Sequence, residues 1–204
     1  MTYIHPEIYD KIESLKKDWN LQDALKLVNS ILVSDPENAD ALMEVSDIHY
    51  RSWQIKKADK PIDFLLANGK DDDPMVLYCK WILEMEKTDW IQARKYLRKA
   101  VEVTKFENPE TVRALGMSEY RYGNREKWLD LVEEAYTMSK YDAEIIYNLA
   151  QIYTIQHNYK AALKIITFYY KNKSKLVFID KQSGFYDRKI KIFEEFINSK
   201  STTK

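Results

Sequence analysis

Asn38-Ala39-Asp40-Ala41-Leu42 returns along the chain as Asp73-Pro74-Met75-Val76-Leu77, as Asn108-Pro109-Glu110-Thr111-Val112 and as Asp142-Ala143-Glu144-Ile145-Ile146, at offsets of 35, 35 and 34. Each copy opens with Asp or Asn, whose side-chain oxygen can accept from the unpaired N–H groups of a first helical turn. Two continue with Pro, whose missing donor costs nothing there. The copies therefore predict four helix starts. Behind them apolar residues fall at helical spacing: Leu42, Val45 and His49; Leu77 and Trp81; Val112 and Leu115; Ile146, Leu149 and Tyr153. A second series, Ala24, Ala58, Ala93, Trp128 and Ala162, recurs at offsets of 34, 35, 35 and 34. A small side chain at one fixed position of a helix pair is what close approach of two helices requires.

A helix pair repeated at this period has a known counterpart. Leu115-Gly116, Tyr120, Tyr122-Gly123-Asn124 and Glu126-Lys127, then Leu149-Ala150, Tyr153, Asn158-Tyr159 and Ala161-Ala162, resemble the tetratricopeptide repeat (TPR) pattern. The resemblance extends over residues 5–170 and implies an all-α, right-handed superhelical solenoid of about five helix-turn-helix repeats, at 5–38, 39–73, 74–108, 109–142 and 143–176. A connecting turn is expected over 171–184. A C-terminal capping helix is expected over 185–198, where Tyr186, Ile190, Phe193 and Ile197 share one face, and a frayed tail over 199–204. Three residues depart from the pattern. Trp128 replaces the usual Ala, so either the fourth helix pair is splayed or the indole points off the seam. Trp19 and Trp53 occupy a turn position that the family often gives to Gly, and are expected to plug the turns.

The composition suits this reading. Of 204 residues, 45% are hydrophobic and 31% charged, enough for a continuous core with a soluble surface, while only four Gly and five Pro argue against the many turns of an all-β chain. Thirty-two basic residues balance 32 acidic ones, so no whole-chain field draws the protein toward nucleic acid or anionic lipid. Residues 171–204 carry nine basic against four acidic side chains, without a dense cationic run. One cysteine, Cys79, cannot form an internal disulfide and fits a reducing compartment. No export signal or membrane span is evident, and the cytoplasm is the expected location.

Chemistry is absent from the motifs. Gly69, Gly116, Gly123 and Gly184 are too dispersed to cradle a phosphate, and His5, His49 and His157 stand in separate repeats without metal-ligand spacing. Neither Cys79 nor any serine has a base and an orienting group in a recognisable pattern. No catalysis, metal or cofactor is expected. His49, where the family commonly has Tyr, is expected to pack between helices.

The first helix of each repeat spends one stripe of side chains on packing, leaving the adjacent stripe free. That stripe comprises Tyr9, Glu13 and Lys16, then Met43, Asp47 and Tyr50, then Tyr78, Ile82 and Met85, then Arg113, Met117 and Tyr120, then Tyr147, Gln151 and Thr154. In the resembled family it lines a concave groove that takes peptides or helices, which implies a non-catalytic scaffold with a protein or peptide partner. The positions at which some members hold a C-terminal carboxylate here carry residues such as Tyr9, Glu13 and Glu44, so that subclass is disfavoured. The competing readings are a secretion-type chaperone shielding an apolar client segment, a helical-repeat RNA reader, which Met43, Tyr78, Ile82 and Glu144 oppose, and a subunit of a larger assembly.

Overall fold

The computed structural model describes residues 3–177 and 183–201. Its helices follow the recurring Asp and Asn residues. Asn38 accepts from the Ala41 N–H at 3.0 Å, Asp73 from Met75 at 2.9 Å, Asn108 from Glu110 at 3.0 Å and Asp142 from Glu144 at 2.9 Å. Second helices use the same device, with Asp89, Asn124 and Asn158 accepting from N–H groups three residues on. Each such cap contributes about 1 kcal/mol by pairing an otherwise orphaned donor.

The chain forms two compact units, Met1–Thr104 and Lys105–Lys204. Unit 1 holds three hairpins: α1 (Pro6–Lys17) with α2 (Leu21–Ser34), α3 (Ala39–Arg51) with α4 (Ile55–Ala67), and α5 (Pro74–Glu86) with α6 (Trp90–Val103). Unit 2 holds two: α7 (Pro109–Arg121) with α8 (Arg125–Met138), and α9 (Ala143–Ile155) with α10 (Tyr159–Lys171). A 3-10 turn (Lys173–Lys175) and α11 (Ser183–Ser201) follow. This is the all-α helical-repeat architecture that the periodicity predicts. Ala24, Ala58, Ala93 and Ala162 are completely buried, as close helix approach requires.

Five turns join the helices of a pair, and each places one residue in the left-handed region: Trp19 (φ 56°), Trp53 (56°), Thr88 (62°), Gly123 (94°) and His157 (57°). The backbone closes each end in the same way. At the second turn Trp53 N–H donates to Tyr50 C=O and Gln54 N–H to His49 C=O, both at 2.9 Å. Only Gly123 adopts this conformation without steric cost. Trp19 and Trp53 do not plug anything: they are 71% and 78% exposed, which corrects the sequence expectation.

Trp128 departs from expectation in the opposite sense. It is wholly buried, and the fourth pair is not splayed. Gly116 on α7 is the reason. A Cβ there would lie 2.9 Å from Val132 Cγ2 and 3.2 Å from the Trp128 carbonyl oxygen, so its absence lets α8 approach closely. The indole then lies against Tyr120, ring centres 3.9 Å apart, and donates to Met117 Sδ at 3.2 Å.

Beyond α10 the chain returns to the start of α9. Val177 N–H donates to Tyr141 C=O at 2.8 Å, and Ala143 N–H to Val177 C=O at 3.0 Å. The expected connecting turn is thus partly a backbone pairing, while 178–182 lie outside the described residues. Helix α11 buries Tyr186, Ile190 and Ile197 and packs chiefly on α9. It extends through Ser199–Ser201, three residues expected to be frayed; 202–204 lie outside the described residues.

Candidate functional site

In unit 1 the free stripe is a half-buried surface of large side chains. Met43 and Tyr50 come from α3, and Tyr78, Ile82 and Met85 from α5; Tyr9 on α1 is exposed. The Tyr50 hydroxyl donates to Glu86 at 3.2 Å, and the Tyr78 ring lies 4.9 Å from Trp81. Asp47, Tyr50, Cys79 and Ile82 line a small cavity of about 60 Å³. The sequence stripe omits Cys79, which stands one position beside Tyr78. Burial, followed by the nearby Asp47, Asp73 and Glu44 carboxylates, pushes its thiol up to about 12.

A buried cation ties the stripe together. The Lys16 side chain is 4% exposed and its Nζ lies 2.6 Å from Glu44 and 2.8 Å from Asp47, with Glu13 also in contact. Asp47 is shared with Arg51 at 2.9 Å. Burial opposes the Lys16 charge, but hydrogen bonds to Asp47, Glu13 and Glu44 outweigh it and hold the pKa above that of an ordinary lysine. Glu44 responds differently. Burial first, with the neighbouring Asp47 and Glu13 carboxylates, raises its carboxyl pKa against the hydrogen bond and charge of Lys16. The stripe of unit 1 is therefore apolar with an acidic lining.

In unit 2 the equivalent residues already have occupants. Arg113 is buried, contacts Glu110 on its own helix and lies 3.0 Å from Glu144 on α9. Burial raises the Glu144 pKa against the pull of Arg113, and the Tyr186 hydroxyl of α11 donates to the same carboxylate at 3.3 Å. Met117 and Tyr120 support Trp128. Tyr147 is covered by α11: its ring stacks on Phe193 at 5.7 Å and meets Tyr186 edge-on at 6.0 Å. Gln151 is half-buried on the next turn of α9.

His49 is half-buried, and its pKa is lowered by burial first and by Lys57 second, so it stays neutral through physiological pH. Among the described residues no cluster of three or more His, Cys, Asp or Glu side chains is placed to hold a metal ion, and no helix is long and apolar enough to cross a membrane.

The structure is similar to several solved TPR proteins. It superposes on PilF of Pseudomonas aeruginosa with a TM-score of 0.72 and 17% identity, covering 96% of this chain and 86% of that one. For TTC0263, a thermophilic TPR protein of Thermus thermophilus, the TM-score is 0.67 at 18% identity, with 90% and 95% covered. For YrrB, described as a TPR protein with an unusual peptide-binding site, it is 0.57 at 19% identity, with 78% and 81% covered. No family profile matches the chain, and no curated protein is significantly similar in sequence. At these identities the likeness shows the fold alone: the chain has the helical-repeat fold of these TPR proteins.

Proposed function

We propose that the protein is a non-catalytic interaction scaffold that holds a segment of another protein on the stripe of unit 1. One observation carries this reading. Six large side chains, Tyr9, Met43, Tyr50, Tyr78, Ile82 and Met85, share a partly exposed surface, while Tyr50, Glu44 and Asp47 beside them are paired within the protein. Tyr and Met provide large contact area with adaptable packing, which suits an apolar segment, and the small cavity beside Ile82 admits a short aliphatic anchor. Glu13, Glu44, Asp47 and Glu86 outnumber Lys16 and Arg51, so the acidic lining favours a segment with basic flanks over a nucleic acid. Arg113, Met117, Tyr120, Tyr147 and Gln151 belong to the same stripe by sequence, and in this reading they serve the interior of unit 2 and the seating of α11.

The test is capture from a lysate of the source cell with wild-type bait beside a Tyr9→Ala, Tyr78→Ala, Ile82→Ala bait, both checked for equal folding by circular dichroism. Loss of a partner only from the triple variant is the expected result, since truncating buried interface anchors costs about 1–2 kcal/mol each. Partners retained equally by both baits would overturn the reading.

A further inference from the structure

The strongest feature outside the stripe lies among the second helices of unit 2, where a cleft of about 640 Å³ opens between α8 and α10. Its volume is in the range of ligand-binding clefts. Leu149 and Ile165, both buried, form its floor. Tyr136 and Phe168, half-buried, form its walls, their rings edge-to-face at 6.0 Å. The rim is cationic: Lys140, in the turn after α8, faces Lys164 and Lys171 on α10, all three exposed.

The charges are unbalanced in a way that points outward. None of the three rim lysines has an ion-pair partner among the described residues, so all three present their charge to the cleft mouth. Lys140 instead lies over the Phe168 ring, 5.2 Å from its centre. The one acid lining the cleft, Glu133, accepts the Tyr153 hydroxyl. An apolar floor, aromatic walls and an uncompensated cationic rim together match an anion with an apolar body.

We propose that this cleft binds an acidic peptide segment, seating one apolar side chain on the Leu149 and Ile165 floor against the Tyr136 and Phe168 rings and pairing flanking carboxylates with the rim lysines. The spacing of the rim argues for an extended chain. Lys164 and Lys171 are two helical turns apart on one face, roughly 10.5 Å along α10. An extended segment rises about 3.3 Å per residue, so carboxylates roughly three residues apart span the distance between the two lysines. The cleft uses α8 and α10 and none of the unit 1 stripe, so the inference stands independently of the function proposed above.

Fluorescence anisotropy on the full chain tests it, with a labelled peptide carrying a Leu-Phe pair between glutamates as probe and the same pair between lysines as its counterpart. Wild type binds the acidic probe and not the basic one, and affinity falls as salt is raised. The Lys164→Glu, Lys171→Glu variant binds about tenfold more weakly or worse, the result of losing about 1.4 kcal/mol of pairing. A Lys11→Glu, Lys26→Glu variant, which changes net charge equally through exposed residues of unit 1, binds as wild type does. Phe168→Ala, which removes a wall and leaves Lys164 and Lys171 in place, also weakens binding. Equal binding of the two peptides, equal loss in the two charge variants, or no binding to folded wild type would each overturn the proposal.

Discussion

The two units contain the same repeat and use its free stripe differently. In unit 1 the stripe is apolar on its surface and held by ion pairs beneath: Lys16 bridges α1 to α3 through Glu44 and Asp47. In unit 2 Arg113 bridges α7 to α9 in the same manner, but the side chains around it face inward to Trp128 or outward to α11. The comparison teaches that repeat identity does not fix surface identity. One substitution on the second helix, Trp for Ala at position 128, draws Met117 and Tyr120 into packing. One backbone pairing, Val177 with the start of α9, brings a helix over Tyr147.

The largest expected effect breaks the internal use of the stripe in unit 2. Trp128→Ala removes a fully buried indole together with its contacts to Tyr120 and Met117. The loss of stability should be about 3–5 kcal/mol, read from denaturant unfolding. Alanine is the usual residue at this position in the resembled pattern, so the variant should still fold. Hydrogen exchange should increase in α7 and α8 and stay unchanged in unit 1. A loss below about 1 kcal/mol would mean that Met117 and Tyr120 are not committed to the indole and that the two stripes are more alike than the contacts indicate.

A smaller effect sharpens the picture of unit 1. Burial and neighbouring carboxylates put the Cys79 pKa at about 12, whereas an unfolded cysteine titrates near 8.5. The native state holds the thiol proton more tightly than the unfolded state, so this contribution is complete below about pH 8.5 and declines as pH rises toward 12. At pH 10 wild type should have lost about 1–2 kcal/mol relative to neutral pH through this group, a loss absent from Cys79→Ala. Matched urea titrations of the two proteins at pH 7 and pH 10 measure it. An identical pH response would mean that the thiol is well hydrated and the stripe around Ile82 looser than described.

Much of the fold is legible in the sequence because each helix start carries its own chemistry. An Asp or Asn that can accept from the first turn recurs at a fixed interval, and the alanines that permit close approach recur with it. Side-chain direction is less legible. Trp128 is visible as a departure, but its burial depends jointly on Gly116, twelve residues earlier on the partner helix. For α11, the spacing of Tyr186, Ile190 and Ile197 correctly marks a buried face. What that face covers depends on the pairing of Val177 with Tyr141 and Ala143, which is made by backbone atoms and has no residue signature. The cleft between α8 and α10 was written only weakly: Tyr136 and Lys140 lie one turn apart, as do Lys164 and Phe168, but a stripe drawn on first helices cannot include them.

The smallest predicted effect concerns the edge of unit 1, where Trp19 and Trp53 occupy left-handed turn positions while standing largely in solvent. An L-residue there costs about 1–2 kcal/mol relative to glycine, and a glycine adds back about 0.4–1 kcal/mol of unfolded-state entropy. Trp53→Gly should therefore leave stability unchanged or raise it by at most about 1.6 kcal/mol, and Trp19→Gly should behave alike, since the two turns share their φ value and their closing hydrogen bonds. The measurement is a thermal or urea unfolding midpoint for each variant. A loss of about 2 kcal/mol would show that the indoles pack against their hairpins after all and restore their reading as turn plugs. A neutral or positive change means that the fold tolerates two exposed indoles at positions where glycine would serve it as well or better, and that folding alone does not account for their presence.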